Sequence, residues 1–238
     1  MLVLFDIESI RGRVEALQAE LPTGVTLVVA TKYLPAEALP TIYDAGVRHF
    51  GESHVQEVIL KQALLLEVLG QEKLAEIQWH FIGSLQKNKV NKTVGRFALI
   101  HSVDSLELAE KLSEANLKAA RVQPILLQVN LTREAQKHGF LEEDMPNIVT
   151  QVLDLKGIQL KGLMCFGVTP NTNKTADWES KNKTVFSRLQ ALGTALEQYL
   201  GQAPLELSMG MSQDYGHALE FGATIIRIGR HLLGDPIL

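Results

Sequence analysis

The sequence predicts an α/β fold, a single (β/α)8 barrel of the TIM type preceded by one extra helix, and three observations lead there. Short apolar runs rich in β-branched residues recur eight times along the chain. Longer stretches of helical period separate them, which is the alternation of a buried parallel sheet. The 238 residues are 46% hydrophobic and 21% charged, enough apolar material for one full core, and no Pro/Ser-rich linker divides them. Residues 1–238 are therefore expected to form one domain. A doubly wound open sheet is the alternative that the same alternation allows, but eight strands in one domain of this size favour closure.

In chain order, the extra helix is expected over Ile7–Ala19 and the first strand over Val25–Ala30. The next helix falls at about Pro35–Ala45, where Pro40 implies a kink or a late start. Strands follow at Val47–Phe50, Gln78–Ile82 and Phe97–Ser102. Asp104–Leu117 reads as a helix with Asp104 as N-cap and Glu107 three residues on. Strands at Pro124–Val129 and Leu160–Met164 precede a loop-like run, TPNTNKT, from Thr169 to Thr175. A helix over Lys183–Tyr199, a strand at Leu205–Ser208, a helix over Asp214–Glu220 and a last strand at Thr224–Ile228 complete the pattern.

The net charge of −4, from 23 Lys+Arg and 27 Asp+Glu, creates no field that would draw the whole chain to nucleic acid or anionic lipid. An anionic ligand must be caught locally. Lys87, Lys89 and Lys92 gather in one stretch, but without interleaved aromatic residues they read as a solvated helix face. The single cysteine, Cys165, cannot form an internal disulfide, which points to a reducing compartment, the cytoplasm. MLVLF at the start turns acidic at Asp6 and Glu8, too short a run for a signal peptide, and no later window approaches a membrane span. Motifs for nucleoside triphosphates, dinucleotides and zinc are missing, and no metal is expected.

In either topology, chemistry belongs at the strand C-termini. VTLVVA runs into Thr31-Lys32, so a primary amine emerges from a buried strand into the mouth. An amine partly shielded from water there is a carbonyl nucleophile, as imine formation with an aldehyde cofactor requires; the plain alternative is a lysine that reaches solvent. Near the other end, LELSMGMS from Leu205 leads into Asp214-Tyr215 with Ser212 a candidate N-cap, and IIRIGR carries Arg227, Gly229 and Arg230 into a last short helix. Loops after strands seven and eight of this fold commonly bind phosphate, through unpaired N–H groups and the positive end of a helix. Gly210 and Gly229 permit close backbone approach but also suit ordinary turns, and Arg227 could instead pair with a barrel carboxylate. His80 reads as a hydrogen-bonded core residue. HFGESHVQE places Glu52, Ser53 and His54 at the mouth, where Ser53 either meets a ligand or caps the following helix. Cys165 reads as an inert buried thiol.

Taken in order, ATK with Lys32, DAGVRHFGESHVQE from Asp44, WHFIGSLQKNK from Trp79, LKGLMCF from Leu160, LSMGMSQDY from Leu207 and RIGR from Arg227 resemble the YggS/PROSC-type pyridoxal-phosphate homeostasis proteins nearly end to end. The resemblance implies a fold-type III barrel like the N-terminal domain of alanine racemase, with pyridoxal 5'-phosphate held as an aldimine on Lys32. It implies further that Ser208, Gly210, Gly229 and the backbone of Arg230 hold the phosphate, and that Arg227 faces the pyridine nitrogen. A permanent guanidinium charge there disfavours ring protonation and weakens the ring as an electron sink. The family is accordingly regarded as controlling cofactor supply and amino and keto acid balance, so no catalytic residue is expected. Two positions depart from its pattern. GES stands where relatives usually read GEN, so Ser53 replaces an asparagine amide with a shorter reach. Arg230 stands where many relatives have Ser or Thr, and its side chain either adds charge or turns outward.

Three functions compete on this reading: a non-catalytic cofactor-binding regulator of vitamin B6 and amino-acid homeostasis, an amino acid racemase or decarboxylase of fold-type III, and a phosphate-binding barrel without the aldehyde cofactor. Such enzymes usually carry an additional β-domain, whereas HLLGDPIL is all that follows strand eight here, which favours the first reading and a monomer. Apo-enzymes that receive pyridoxal phosphate, or a small regulatory protein, are the expected protein partners.

Overall fold

Eight parallel strands close into a barrel in chain order: β1 (Thr26–Ala30), β2 (His49–Glu52), β3 (Gln78–Phe81), β4 (Leu99–Val103), β5 (Gln123–Gln128), β6 (Ile158–Met164), β7 (Glu206–Met211) and β8 (Ile225–Ile228). The computed structural model describes residues 7–34, 36–134, 136–169, 176–201 and 204–233. Closure is made by β1 against β8, with Thr26 opposite Ile225 and Val29 opposite Ile228. The eight strands lie where the β-branched runs predict them, because strands covered on both faces are apolar throughout and their signal is strong. The open sheet is excluded.

The helices are α1 (Ile7–Glu20), α2 (Leu39–Asp44), α3 (Val55–Glu76), α4 (Leu106–Lys118), α5 (Met145–Leu153), α6 (Ala176–Leu200), α7 (Tyr215–Glu220) and α8 (Arg230–Leu233). Several boundaries differ from expectation, each for a local reason. Over the stretch predicted as Pro35–Ala45, a 3-10 turn at Ala36–Ala38 comes first and α2 starts late, with Pro40 in its first turn, where its missing N–H costs nothing; Pro35 itself lies outside the described residues. The cap of α4 is Ser105 rather than Asp104, its hydroxyl accepting the Leu108 N–H at 3.4 Å. After β3 the expected helix start gives only a 3-10 helix, Lys87–Lys92, whose Lys87 pairs with Glu107 on α4. Of the loop-like run after β6, residues 170–175 lie outside the described residues. Gly70, at φ 80°, breaks the helical path within α3.

Apolar burial occurs in two places. The larger cluster, including Phe50, Ile100, Leu112, Ile125 and Phe186, fills the space between the sheet and the helices. A smaller one, Val28, Leu99, Leu126, Met164 and Ile225, plugs the barrel interior. Each fully buried side chain of this size contributes about 1.5–3 kcal/mol. Strand packing tolerates no excess at Gly162 of β6, where a Cβ would stand 2.0 Å from the Glu206 carbonyl oxygen on β7. Among the described residues, no helix is long and apolar enough to cross a membrane.

Candidate functional site

A cavity of about 720 Å³ opens at the C-terminal ends of the strands, with Lys32, Ser53, Lys137, Arg227, Gly229 and Arg230 among its walls. Lys32 belongs to a one-turn 3-10 helix, Thr31–Tyr33, directly after β1. That turn carries the side chain past the strand end and leaves it exposed, where strand position alone predicts partial shielding. Ser53 lines the same mouth. It does not cap α3, whose N-cap position is His54. The loop after β3 lies so close to Ser53 that a Cβ on Gly83 would come within 2.5 Å of the Ser53 carbonyl oxygen. Glu52, expected at the mouth, is instead turned to α3, where it pairs with Lys61.

Beside β1, with Val28 opposite it in register, β8 delivers Arg227. It is 3% exposed. Its Nη1 donates to Ser208 Oγ at 2.6 Å and its Nη2 to the Cys165 carbonyl at 2.9 Å. Among the described residues it makes no salt bridge to a carboxylate, so the pairing that the sequence left open is not formed. Burial lowers its pKa to about 10, which still leaves a cation at neutral pH. Cys165 is fully buried and its thiol is pushed up to about 12, as an inert cysteine requires.

The strand seven and eight loops divide into groups that reach the cavity and groups that support it. Gly229 and Arg230 reach it, and the Arg230 side chain is exposed. Ser208 and Gly210 do not line it. Ser208 is fully buried beneath Arg227. Gly210, at φ 91°, is where α7 crosses the strand: a Cβ would lie 2.7 Å from the Ala218 Cβ and 2.9 Å from the Tyr215 Cα. Ser212 is not the N-cap of α7, a position that Asp214 holds. Its hydroxyl accepts the backbone N–H groups of Gly229 at 3.4 Å and His231 at 3.2 Å, while Asp214 takes the Met211 N–H at 2.6 Å. Two amides thus converge at long range on one hydroxyl at the rim, a pair that a stronger acceptor would satisfy better.

Below the cavity runs a chain of histidines from three consecutive strands. His49 Nδ1 lies 2.9 Å from His80 Nε2, His80 Nδ1 lies 2.8 Å from His101 Nε2, and His101 Nδ1 lies 2.8 Å from Ser208 Oγ. Arg227 can only donate, so of the two partners of the Ser208 hydroxyl only His101 Nδ1 can take its proton, and the hydroxyl donates there. The bond pattern then assigns the Nε2–H form to His101 and His80 in turn, each donating onward. Burial lowers His80 to about 3 and His101 well below the ordinary histidine value, so both are neutral at physiological pH. Sequence reasoning found His80 as a bonded core residue and missed its two partners. The recurrence of HF, WHF and IHS at the starts or centres of successive strands was the available signal.

A family model, alanine racemase N-terminal domain, matches residues 5–236. A protein from Synechocystis named pyridoxal phosphate homeostasis protein is 38% identical over 222 residues, 92% of this chain and 95% of its own. One of the same name from Schizosaccharomyces pombe is 33% identical over 232 residues, covering 96% and 91%. The solved structure of PipY from Synechococcus elongatus with PLP bound superposes with a TM-score of 0.82 at 37% identity, over 94% of this chain and all of that one. Alanine racemase from Clostridium difficile shares the fold alone, with a TM-score of 0.77 at 13% identity over 58% of its length. Barrel, mouth and matches together place the chain in the pyridoxal phosphate homeostasis protein family, on the alanine racemase N-terminal domain fold.

Proposed function

We propose that this protein binds pyridoxal 5'-phosphate in the barrel mouth and acts in intracellular cofactor homeostasis and amino and keto acid balance without catalysing a reaction of its own. The names of the relatives and the bound PLP in the PipY neighbour support the reading, and the donor set fits the group. An amine answers an aldehyde, a buried cation answers a ring nitrogen, and convergent backbone N–H groups answer a phosphate. When bound, pyridoxal phosphate supplies an electrophilic aldehyde and an electron-withdrawing ring. Lys32 is the covalent anchor. Gly229, Arg230 and the His231 amide hold the phosphate at the rim, and Ser53 gives a short polar contact. Ser208 and Gly210, which the family resemblance assigns to the phosphate, act one layer down: Ser208 fixes Arg227 and Gly210 seats α7.

Arg227 is the observation that carries the non-catalytic part. At about 10 its pKa is too high to yield a proton to a pyridine nitrogen, and its bonds to Ser208 and the Cys165 carbonyl keep it in place. Facing a bound cofactor, the residue would offer the ring nitrogen a hydrogen-bond donor without protonating it, which would withhold electron-sink chemistry. On this reading the chain works as one domain, as a cytoplasmic monomer, delivering cofactor to apo-enzymes or answering to a small regulatory protein.

The test is the visible absorbance of the purified protein and of Lys32→Ala. A coloured wild type and a colourless variant are expected; a wild type that stays colourless with added cofactor refutes the binding reading. Incubation of the loaded protein with single amino acids checks the second half. Enantiomer exchange or carbon dioxide release above that of free cofactor would show an enzyme.

A further inference from the structure

We propose that the buried pair Glu52–Lys61 is a positioning device for Lys32, holding the peptide that bears it so that the amine captures an aldehyde efficiently. The proposal rests on the reading of Lys32 as the anchor. Glu52 closes β2 and is fully buried, and Lys61 on α3 is 5% exposed. Two charges are buried only where pairing and hydrogen bonds offset the loss of water, and apolar residues of the same volume commonly hold a helix to a strand as well. What apolar residues cannot do is grip a carbonyl.

This pair does. Lys61 Nζ contacts Glu52 Oε1 and also donates to the Thr31 carbonyl at 2.8 Å. Thr31 Oγ1 donates to the same Glu52 oxygen at 2.6 Å, and Glu52 Oε2 accepts the Ser53 N–H at 3.1 Å. The Thr31 carbonyl belongs to the peptide that joins Thr31 to Lys32, and it also accepts the Leu34 N–H at 3.0 Å, the bond that closes the 3-10 turn. A carbonyl oxygen has two lone pairs, and here one goes to Leu34 and the other to Lys61. The peptide plane before Lys32 is therefore fixed from outside the barrel. The same carboxylate fixes Ser53 at the end of the neighbouring strand. Because Lys32 is an exposed, rotamer-rich side chain, a fixed backbone lowers the ordering cost of placing its amine.

The experiment uses the full chain with pyridoxal phosphate and three variants, Lys61→Met, the double variant Glu52→Gln/Lys61→Met, and Lys61→Arg. The single Met variant strands a buried carboxylate and can fail to fold, so the double variant, which removes both charges, carries the test. It should keep the wild-type circular dichroism and thermal midpoint, yet bind the cofactor about tenfold more weakly by absorbance titration, the loss of one charge-assisted hydrogen bond. Capture should be slower, and in cofactor-stripped protein the Leu34 amide should exchange about tenfold faster. Lys61→Arg, which keeps charge and donor, should restore most of the affinity. Wild-type affinity and capture rate in the double variant would overturn the proposal. A wild type that never colours would defeat the anchor reading instead, and Leu34 exchange would then decide: faster exchange in the double variant upholds the clamp and unchanged exchange overturns it.

Discussion

Ser208→Ala removes one hydroxyl at the junction between Arg227 and the histidine chain. That hydroxyl accepts from Arg227 at 2.6 Å and donates to His101 at 2.8 Å, so the variant leaves a guanidinium donor and an imidazole acceptor unpaired within the barrel. A hydrogen bond to a charged group nets about 1.5–3 kcal/mol, and an orphaned buried acceptor costs about 1–3 kcal/mol. Arg227 keeps its bond to the Cys165 carbonyl, which places the total in the lower half of that range, about 3 kcal/mol. For a chain of this length each kcal/mol moves the thermal midpoint by about 2–4 °C, so calorimetry should show a fall of about 6–12 °C. Competition by inorganic phosphate for the cofactor site should be little altered. The opposite pattern, an unmoved midpoint with weakened phosphate binding, would show that Ser208 is the phosphate contact the family resemblance implies and would refute the role assigned to it here.

Acid should destabilise the protein through the same chain. His80 is lowered by burial to about 3 while an unfolded histidine titrates near 6.5, so between those values the unfolded state binds the extra proton and stability falls as pH falls. The slope is about 1.4 kcal/mol per pH unit for each histidine so affected, His101 adding its own, and urea midpoints measured from neutral to acid pH will show it or its absence. Long-range proton–nitrogen correlation of the imidazole rings should find His80 and His101 as neutral Nε2–H forms at pH 6; the Nδ1–H form at either position would contradict the assigned direction of donation. Gly162→Ala should lower stability by more than about 2 kcal/mol, since the added Cβ meets a strand carbonyl rather than a movable side chain, and denaturant unfolding will register it.

How much of this was legible in the sequence differs by layer. The eight strands were, because a strand buried on both faces leaves a continuous apolar run. The lining of the mouth was legible where one residue stands at one strand end, as for Lys32, Arg227 and Gly229. It failed where contacts cross strands. Nothing local distinguishes Ser208 beneath Arg227 from a Ser208 facing the cavity, because a strand's alternation gives the facing but not the depth of a residue in the closed barrel. Glu52 illustrates the reverse error: next to Ser53 in sequence, it is turned to the other side of the wall to meet Lys61, nine positions along and on a helix not delimited beforehand. The helix face expected at Lys87, Lys89 and Lys92 is a 3-10 helix instead, because the stretch lacks an apolar stripe.

The histidine chain also answers how a guanidinium is kept inside a barrel with no carboxylate paired to it among the described residues, Asp214 acting on it only from a distance. Each link, from the Ser208 O–H to the Nε2–H bonds of His101 and His80, is a small dipole, and the assigned donation orders them head to tail. Their negative end lies at the Ser208 oxygen, against Arg227, and their positive end lies toward His49 on β2. The row thus serves as a fractional counter-ion assembled from neutral parts, much as aligned peptide units do at a helix terminus. A full carboxylate in that place would cancel the charge that faces the cavity. Neutral dipoles leave most of it available to a ligand, and with His80 and His101 titrating so far below neutrality the arrangement holds its sign across the whole physiological range.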